Sequence, residues 1–303
     1  MSATPQVIFL VGPTASGKSE LALALAEDLG AEICSMDAFQ VYEGLDVGTG
    51  KPSLSERQKI PHHLLNIVGS CESFSVAAYL KKAEVVYRNL VSRNRPMIWV
   101  GGTGLYFRAL RKGLSPAPSS SPAQIEELMN WSLEKLQSEV KRLDPVWSNK
   151  ADLNNPRRLI RALAVVRETG KPLSQWQETP GQVLIREGAA FYLEPDTAEL
   201  KIKIRNRVQS MWEMNWLGEV LELMKVPGWS ESQSAQALGY KEIIRLAKGE
   251  VSGQECLEKV SVETWQYAKR QLTWFSKEPS CQKLNPSCGV QVMADFVKNR
   301  LVK

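Results

Sequence analysis

Apolar runs and helical segments alternate along the N-terminal third of the chain. Four apolar runs have the length of buried β-strands, and they cover residues 7–11, 31–36, 64–68 and 97–100. Between them, segments at 20–29 and 75–91 have the composition and length of helices. Strands that alternate with helices are typical of a parallel sheet that is covered by helices. The pattern therefore predicts an α/β fold with a parallel sheet and flanking helices.

A change in composition marks a domain boundary after these elements. Residues 115–122 are dominated by Pro and Ser, which neither a helix nor a central strand accommodates. Only helical patterns follow, until the apolar run 191–193 predicts a strand that returns to the sheet. We therefore predict an all-helical insertion domain of residues 119–188 within a catalytic core of residues 1–118 and 189–303. Further helices are predicted over 200–225, 232–247 and 262–275.

Composition and charge narrow the class of protein. Of the 303 residues, 43% are hydrophobic and 23% charged, which excludes a mostly disordered or fibrous chain. No apolar run approaches the ~18 residues of a transmembrane helix, and there is no signal-peptide pattern, so we expect a cytoplasmic protein. The net charge of +5 is compatible with a polyanionic partner without requiring one. Five scattered cysteines without a CxxC pair disfavour a disulfide framework and a structural zinc site.

A phosphate-binding loop follows the first predicted strand. The segment GPTASGKS matches the pattern GxxxxGK[ST] and leads into the first predicted helix. Backbone N–H groups of such a loop, together with the N-terminus of the helix, bind phosphate oxygens. Lys18 adds a cation, and the Ser19 hydroxyl is a candidate ligand of Mg²⁺. A nucleoside triphosphate and any other pyrophosphate satisfy this loop equally well. The predicted phosphate-binding residues are Gly12, Pro13, Thr14, Ala15, Ser16, Gly17, Lys18 and Ser19.

A carboxylate stands at the end of the second predicted strand. Asp37 directly follows the apolar residues 31–36. In an open parallel sheet, ligands bind beyond the carboxyl ends of the strands, so Asp37 lies near the phosphate loop if the two strands are neighbours. A carboxylate at this place is suited to bind Mg²⁺, to act as a general base, or only to form a turn.

The insertion contains a helix with clear end signals and a basic face. Asn155 and Gly170 are the expected cap and stop of a helix over 157–168. Arg157 and Arg161 are one turn apart and share a face. Residues 141–171 contain eight basic residues against three acidic ones, a surplus that suits RNA but is often only solvated. The apolar face is predicted to consist of Leu159, Leu163 and Val166.

With the phosphate loop, the stretches SMDAFQVY at 35–42 and DVGTGKP at 46–52 resemble the tRNA dimethylallyltransferases of bacterial type. Further similar stretches follow in one order over most of the chain. They are PHHLL at 61–65, GGTGLY at 101–106, RRLIRAL at 157–163, QALGYK at 236–241 and YAKRQLTWF at 267–275. The resemblance implies a phosphate-loop NTPase-like fold.

The resemblance also implies a reaction. Members of this family transfer the dimethylallyl group from dimethylallyl diphosphate to N6 of the adenosine 3′ of the anticodon (position 37). Their substrates are tRNAs that read codons beginning with U, and diphosphate is released. By resemblance, Asp37 is the general base, Thr103 and Lys18 are catalytic, and Arg207 and the loop with Mg²⁺ hold the diphosphate. Two residues depart from the family pattern, Ala38 where Ser is frequent and Lys203 where Arg is expected.

A set of tRNA contacts is implied in the same way. Three of its members, Arg157, Arg158 and Arg161, lie on the basic helix of the insertion. Phosphate contacts of this kind make binding sensitive to salt. The full predicted set for the anticodon stem-loop is Asp37, Ala38, Phe39, Gln40, Thr103, Arg157, Arg158, Arg161, Gln236, Gly239, Tyr240 and Lys241.

Three other functions compete with a tRNA-modifying transferase. A small-molecule kinase accounts for the phosphate loop and Asp37, but not for the basic helix of the insertion. An isoprenoid transferase for free adenine nucleotides needs no such helix either. A non-catalytic RNA-binding protein needs neither an intact phosphate loop nor Asp37. We therefore expect a monomeric tRNA transferase that uses dimethylallyl diphosphate and Mg²⁺ and has no membrane partner.

Overall fold

The computed structural model describes residues 5–118, 120–179 and 181–301. Two compact units divide the chain, one formed by Met1–Leu110 with Ile185–Lys303 and the other by Arg111–Leu184. The Pro- and Ser-rich segment therefore belongs to the second unit and does not separate the two. Ser119, at the predicted boundary, lies outside the described residues.

A parallel sheet forms the centre of the first unit, and its order is β3-β2-β4-β1-β5-β6. The strands are β1 Val7–Val11, β2 Glu32–Ser35, β3 His62–His63, β4 Met97–Gly101, β5 Ala189–Leu193 and β6 Gln282–Leu284. All neighbouring strands pair in parallel, so the predicted α/β class is confirmed. Because β4 lies between β1 and β2, the strands before the phosphate loop and before Asp37 are not neighbours, so that condition is not met.

One predicted strand is displaced along the chain. The run 64–68 is not a strand, and the pairing residues are His62–His63 just before it. Leu64 and Asn66 have φ values of 64° and 51°, which an extended strand excludes. Val68 makes only an isolated bridge to Tyr42.

Helices cover both faces of the sheet and form the second unit. In chain order they are α1 Lys18–Leu29, α2 Leu54–Lys59, α3 Val76–Ser92, α4 Gly104–Lys112, α5 Pro122–Met129, α6 Leu133–Leu143, α7 Pro145–Ser148, α8 Pro156–Thr169, α9 Leu173–Glu178, α10 Thr197–Glu213, α11 Trp216–Met224, α12 Tyr240–Ala247, α13 Gly253–Phe275 and α14 Val290–Leu301. In the part of the chain that the structure describes, no helix is both long and apolar enough to cross a membrane.

Two predicted helices differ from those observed. The segment 200–225 forms α10 and α11, because Asn215 takes a φ of 65° and caps the second helix through the N–H of Gly218. The segment 232–247 is α-helical only from Tyr240, because Ser234–Gln236 forms a short 3-10 helix and Gly239, at φ 85°, stands at the start of α12. A left-handed residue interrupts the helical hydrogen-bond ladder in both places.

The two faces of the sheet pack against different sets of side chains. Mainly aliphatic residues of the strands, such as Ile8 and Leu10, form one buried cluster with α1 and α14. The opposite face is aromatic: Phe9 contacts Trp99 and Phe107, and Tyr192 stacks on Phe275 of α13. This second layer fixes α13 on the sheet, near the carboxyl ends of the strands.

In the second unit, helix α8 contributes most of the buried core residues. Asn155 caps it and Gly170 ends it at φ 66°, as predicted. Leu159, Leu163 and Val166 are buried, so the predicted apolar face is confirmed. The helix buries further residues beyond that stripe, and its neighbours in the core come from α5, α6, α7 and α9.

Candidate active site

A cavity of about 590 Å³ opens beyond the carboxyl ends of β1, β2 and β4. It brings together the phosphate loop, the turn after β2, the loop 48–52 and residues of α10 and α13. Predicted site residues from distant parts of the chain therefore share one space. Those that line it are Thr14, Ala15, Ser16, Gly17, Lys18, Ser19, Asp37, Phe39, Gln40, Arg207 and Gln236.

The phosphate loop has a conformation that its glycines permit. A Cβ atom on Gly12, whose φ is 150°, would lie 2.8 Å from the carbonyl oxygen of Leu193. Gly17 begins α1 at φ 87° and provides no side-chain cap. The N–H groups of the first turn of α1 and the positive end of its dipole thus lie at the cavity, where they favour an anionic ligand.

Two cations lie beside the loop. The Lys18 ammonium donates to the carbonyl oxygen of Pro13 and, over 3.3 Å, to the Ser16 hydroxyl. Burial and the charge of Arg207 lower the Lys18 pKa to about 7, although Asp37 opposes this shift. The Arg207 guanidinium, brought from α10, donates to the carbonyl of Thr49 over 3.5 Å. Burial lowers the pKa of Arg207, and Asp37 again acts in the opposite direction. An anionic ligand would relieve the repulsion between these cations.

Asp37 uses one carboxylate oxygen to order its own turn. Its Oδ1 accepts the N–H groups of Phe39 and Gln40 over 2.8 and 3.2 Å. Among the residues that the structure describes, Oδ2 has no hydrogen-bond donor. Thr103, just after β4, accepts the N–H of Ala38 over 3.3 Å and so joins this turn. Since β4 lies between β1 and β2, the loop that carries Thr103 follows the strand between those before the phosphate loop and Asp37.

Tyr267 of α13 is a cavity residue that sequence reasoning did not select. Burial and the charge of Asp37 raise the pKa of its phenol, whereas a hydrogen bond with Thr103 acts in the opposite direction. The phenol is therefore neutral at physiological pH and available as a hydrogen-bond donor beside the Asp37 turn. The sequence feature that could have identified Tyr267 is its position in the stretch YAKRQLTWF, which resembles the family.

A carboxylate from α11 holds the loop 46–50 over the cavity. Glu219 accepts the N–H groups of Asp46, Val47 and Gly48 over 2.7, 2.5 and 3.2 Å. It also accepts the Tyr240 hydroxyl over 2.6 Å. The same loop offers carbonyl oxygens to the side chain of Gln40, which ties it to the Asp37 turn. The sequence alone did not identify Glu219, because the N–H groups that it binds lie more than 170 residues earlier in the chain. The signal that was available is the glycine-rich loop itself, whose N–H groups need an acceptor.

Two family models cover most of this chain. The IPP transferase model matches residues 40–278, and the Isopentenyl transferase model matches residues 5–67. This chain belongs to the IPP transferase family. It is therefore a prenyltransferase enzyme, and the resemblance to tRNA dimethylallyltransferases is confirmed.

Individual relatives are similar to this IPP transferase over nearly its whole length. The tRNA dimethylallyltransferase of Thermoanaerobacter sp. is 39% identical, covering 89% of this chain and 88% of the relative. That of Deinococcus radiodurans is 36% identical, with 98% of each covered. The solved tRNA delta(2)-isopentenylpyrophosphate transferase of Staphylococcus epidermidis has a TM-score of 0.72 at 33% identity, with 98% of each chain covered. A eukaryotic dimethylallyltransferase acting on tRNA has a TM-score of 0.81 at 25% identity, covering 98% of this chain and 80% of that one.

The predicted tRNA contacts near α12 fall into two groups in this IPP transferase. Gln236 and Lys241 are exposed, and Gln236 also lines the cavity. Tyr240 is fully buried, with its hydroxyl on Glu219, so its side chain does not face solvent. Gly239 begins α12, and a Cβ there would overlap the Trp216 ring. The structure thus gives Tyr240 and Gly239 a scaffold role that the sequence did not show.

The three predicted arginines of α8 also differ among themselves. Arg157 and Arg158 are exposed, and their side chains have no hydrogen bond or ion pair within the described residues. Arg161 instead donates to the carbonyls of Ala117 and Pro118 and to the Ser120 hydroxyl, over 3.1, 2.7 and 3.0 Å. Arg161 is therefore held by the Pro- and Ser-rich segment, whereas its predicted contact with tRNA stays a prediction.

Replacing Glu219 with Ala is expected to lower the free energy of unfolding by about 2–3 kcal/mol, since three N–H groups and a hydroxyl lose a charged acceptor. Urea unfolding monitored by circular dichroism would measure the change. Glu222→Ala in the same helix is the matched control, because within the described residues this exposed side chain pairs only with Lys225. We expect the control to stay within about 0.5 kcal/mol of the wild type. Equal effects of the two substitutions would exclude the anchoring role of Glu219.

Proposed function

We propose that this IPP transferase transfers the dimethylallyl group from dimethylallyl diphosphate to N6 of the adenosine 3′ of the anticodon, in tRNAs that read codons beginning with U. One observation carries the proposal: a single cavity holds the phosphate loop with Lys18 and Arg207, and an Asp37 oxygen that has no donor among the described residues. The cavity thus combines cations that suit a leaving diphosphate with a carboxylate that suits the amine of the acceptor.

The leaving group is the first chemical requirement. Charge grows on the diphosphate oxygens as the bond to the allylic carbon breaks. N–H groups at the start of α1, with Lys18 and Arg207, are placed to stabilise that charge in a site partly removed from water. Thr14, whose side chain lines the cavity, adds a hydroxyl to this side.

The nucleophile is the second requirement. An exocyclic adenine amine is weakly nucleophilic because its lone pair is shared with the ring. The Asp37 carboxylate accepts a hydrogen bond from N6–H and takes the proton as the new bond forms. The Asp37 turn is already ordered through Oδ1, so little rearrangement precedes proton transfer to Oδ2. Thr103 holds the backbone of this turn, and Ala38 provides no hydroxyl there.

Mg²⁺ fits the residues at the loop. Mg²⁺ is commonly bound by one or two protein ligands together with substrate phosphates and waters. The Ser19 hydroxyl is exposed at the start of α1, and we assign it as the protein ligand. Among the described residues, no group of three or more His, Cys, Asp or Glu could form a separate metal site. When bound, the ion would neutralise charge on the diphosphate.

The tRNA is the acceptor in this proposal. A base stacked in the anticodon loop is inaccessible, so the adenosine must be extruded before it reaches the cavity. Arg157 and Arg158 in the second unit, and Lys241 and Gln236 in the first, are accessible for contacts with RNA. We further propose that the enzyme acts as a monomer in the cytoplasm, where its tRNA substrate is found.

Labelled dimethylallyl diphosphate tests the proposal directly. The purified enzyme is incubated with it, Mg²⁺, and either unmodified tRNA or AMP. Label in the tRNA alone is the expected result, and nucleoside analysis should place it on N6 of the adenosine 3′ of the anticodon. Label in AMP alone would support a transferase for free nucleotides, and label in neither would overturn the proposed reaction.

Replacing both Arg157 and Arg158 with Ala should weaken tRNA binding and flatten its dependence on salt. Each lost phosphate contact reduces the slope of log K against log salt by roughly one unit. The fold should persist, because both side chains are exposed and without partners among the described residues. Filter binding across a salt series measures the slopes.

Arg88→Ala is the matched control for that series, since Arg88 is also exposed and its one ion pair in the described part of the chain is with Glu84 of α3. Its slope should equal that of the wild type. If the double variant also gave a parallel line, the α8 arginines would be solvated only and not part of the RNA interface.

A further inference from the structure

A buried glutamine joins the two loops that form the opposite sides of the site. Gln271 lies in α13 and is only 5% exposed. Its amide oxygen accepts the N–H of Thr14 over 2.9 Å. Its amide nitrogen donates to the carbonyl of Gly102 over 2.9 Å. Both polar ends of the side chain are thus used, one on the phosphate loop and one on the loop after β4.

These two hydrogen bonds link the loops that follow β1 and β4, beyond the last paired residues of the two strands. The hydrogen-bonded register of β1 and β4 ends at Val11 opposite Gly101. Past that point, no backbone–backbone hydrogen bond joins the two loops within the described residues. An amide side chain has the same donor and acceptor as a peptide group. The Gln271 amide therefore connects the two loops where backbone pairing has ended.

The surrounding residues are arranged for this contact. A Cβ atom on Gly102 would overlap the Gln271 amide nitrogen, so a glycine is required there for the side chain to fit. Phe275, one turn along α13, stacks on Tyr192 of β5 and fixes the helix on the sheet. The amide is consequently held by a rigid element and not by a mobile loop.

We propose that Gln271 is a positioning residue that sets the distance between the diphosphate-binding loop and the Thr103–Asp37 side of the site. The inference rests on the proposed function, in which one loop holds the leaving group and the other the amine. In-line displacement requires both to be aligned with the allylic carbon, and a shift of about 1 Å can cost roughly 10²-fold in rate. Gln271 acts through the two backbones and does not itself contact the reacting atoms.

Two substitutions separate this role from simple packing. Gln271→Met keeps the length of the side chain but loses both hydrogen bonds. In Gln271→Glu, the carboxyl accepts from Thr14 in either protonation state, but it donates to Gly102 only when protonated. Burial raises the pKa of such a carboxyl. Lowering the pH from about 8.5 to about 6 should therefore restore the connection in the Glu variant and leave the Met variant unchanged.

Turnover is measured for both variants as a ratio to wild type at each pH. Dividing by the wild type removes the titration of the ionisable groups that line the cavity, which are Lys18, Glu20, Asp37, Lys51, Glu56, His62, Arg207, Tyr267 and Arg270. We expect the Met variant to lose about 10- to 10²-fold in kcat at every pH, with little change in KM for tRNA. The Glu variant should match it at high pH and exceed it about tenfold at low pH.

Gln233 offers a matched control. Its amide makes the same pair of bonds, to the N–H and the carbonyl of Phe74, over 3.0 and 2.9 Å. Both of its bonds go to the backbone of a single residue, Phe74, so Gln233 does not connect two loops of the site. Gln233→Glu should retain kcat within about twofold, with a ratio that does not vary with pH.

Inorganic pyrophosphate binding gives a readout that needs no transfer reaction. Calorimetry should show weaker pyrophosphate binding by Gln271→Met than by wild type, because the unsupported loop presents its N–H groups less well. If wild type itself transfers no label to tRNA, the proposed function fails, and the pyrophosphate measurement still decides the role of Gln271. Wild-type kcat and wild-type pyrophosphate affinity in the Met variant would overturn the inference. So would a Glu variant that never exceeds the Met variant at any pH.

Discussion

Replacing Asp37 with Asn is expected to reduce turnover at least about 10²-fold, which is the usual scale for loss of a general base, while tRNA affinity changes little. The amide keeps an oxygen for the N–H groups of Phe39 and Gln40, so the turn persists. It cannot take the proton from the adenine amine. Single-turnover transfer of labelled dimethylallyl groups to tRNA measures the loss, and filter binding measures the affinity. Asp37→Ala should lose at least as much, since it also removes the turn.

Asp196 provides the control for this substitution. Its Oδ1 accepts two backbone N–H groups, of Ala198 and Glu199, just as Asp37 does in its own turn. It caps α10 outside the residues that line the cavity. Asp196→Asn should therefore keep wild-type turnover within about twofold. Near-normal turnover of Asp37→Asn would refute the assignment of Asp37 as the base.

Replacing Lys18 with Ala is expected to reduce transfer about 10²- to 10³-fold and to weaken pyrophosphate binding, with tRNA affinity unchanged. In the proposed reaction, Lys18 faces the leaving group and not the RNA, so its loss should act on one substrate only. Transfer kinetics, pyrophosphate calorimetry and tRNA filter binding give the three quantities. A collapse of tRNA affinity with intact pyrophosphate binding would show that the phosphate loop has a different role.

Lys18 also predicts how pyrophosphate binding depends on pH. Burial and the charge of Arg207 lower its pKa to about 7, so above that pH the ligand-free amine is mostly neutral. A diphosphate favours the ammonium and raises the pKa again, so binding above pH 7 takes up a proton and weakens as the pH rises. Calorimetry in buffers of different ionisation enthalpy should show this uptake for wild type and a smaller one for Lys18→Ala. An identical uptake in both would assign the proton to another group.

Local sequence was sufficient for the elements whose determinants lie close together in the chain. The phosphate loop is a strand, a glycine-rich turn and a helix in direct succession, and the structure has all three in place. Helix α8 begins after Asn155 and ends at Gly170 as predicted, because caps act within one turn. Asp37 was found for a similar reason, since a polar residue directly after a buried strand lies at the edge where ligands bind.

The neighbours and hydrogen-bond partners of these elements, by contrast, depend on how distant parts of the chain pack together. The insertion of β4 between β1 and β2 places Thr103 between the phosphate loop and Asp37, and no local pattern specifies strand order. Gln271 meets Thr14 across 257 residues of chain, a contact that depends on the packing of α13 on the aromatic face of the sheet. Arg161 and Tyr240 have the sequence context of exposed contacts, yet one is bound to the Pro- and Ser-rich segment and the other is buried on Glu219. A side chain's hydrogen-bond partners follow from where distant segments meet, and that is set by the packing of the whole core.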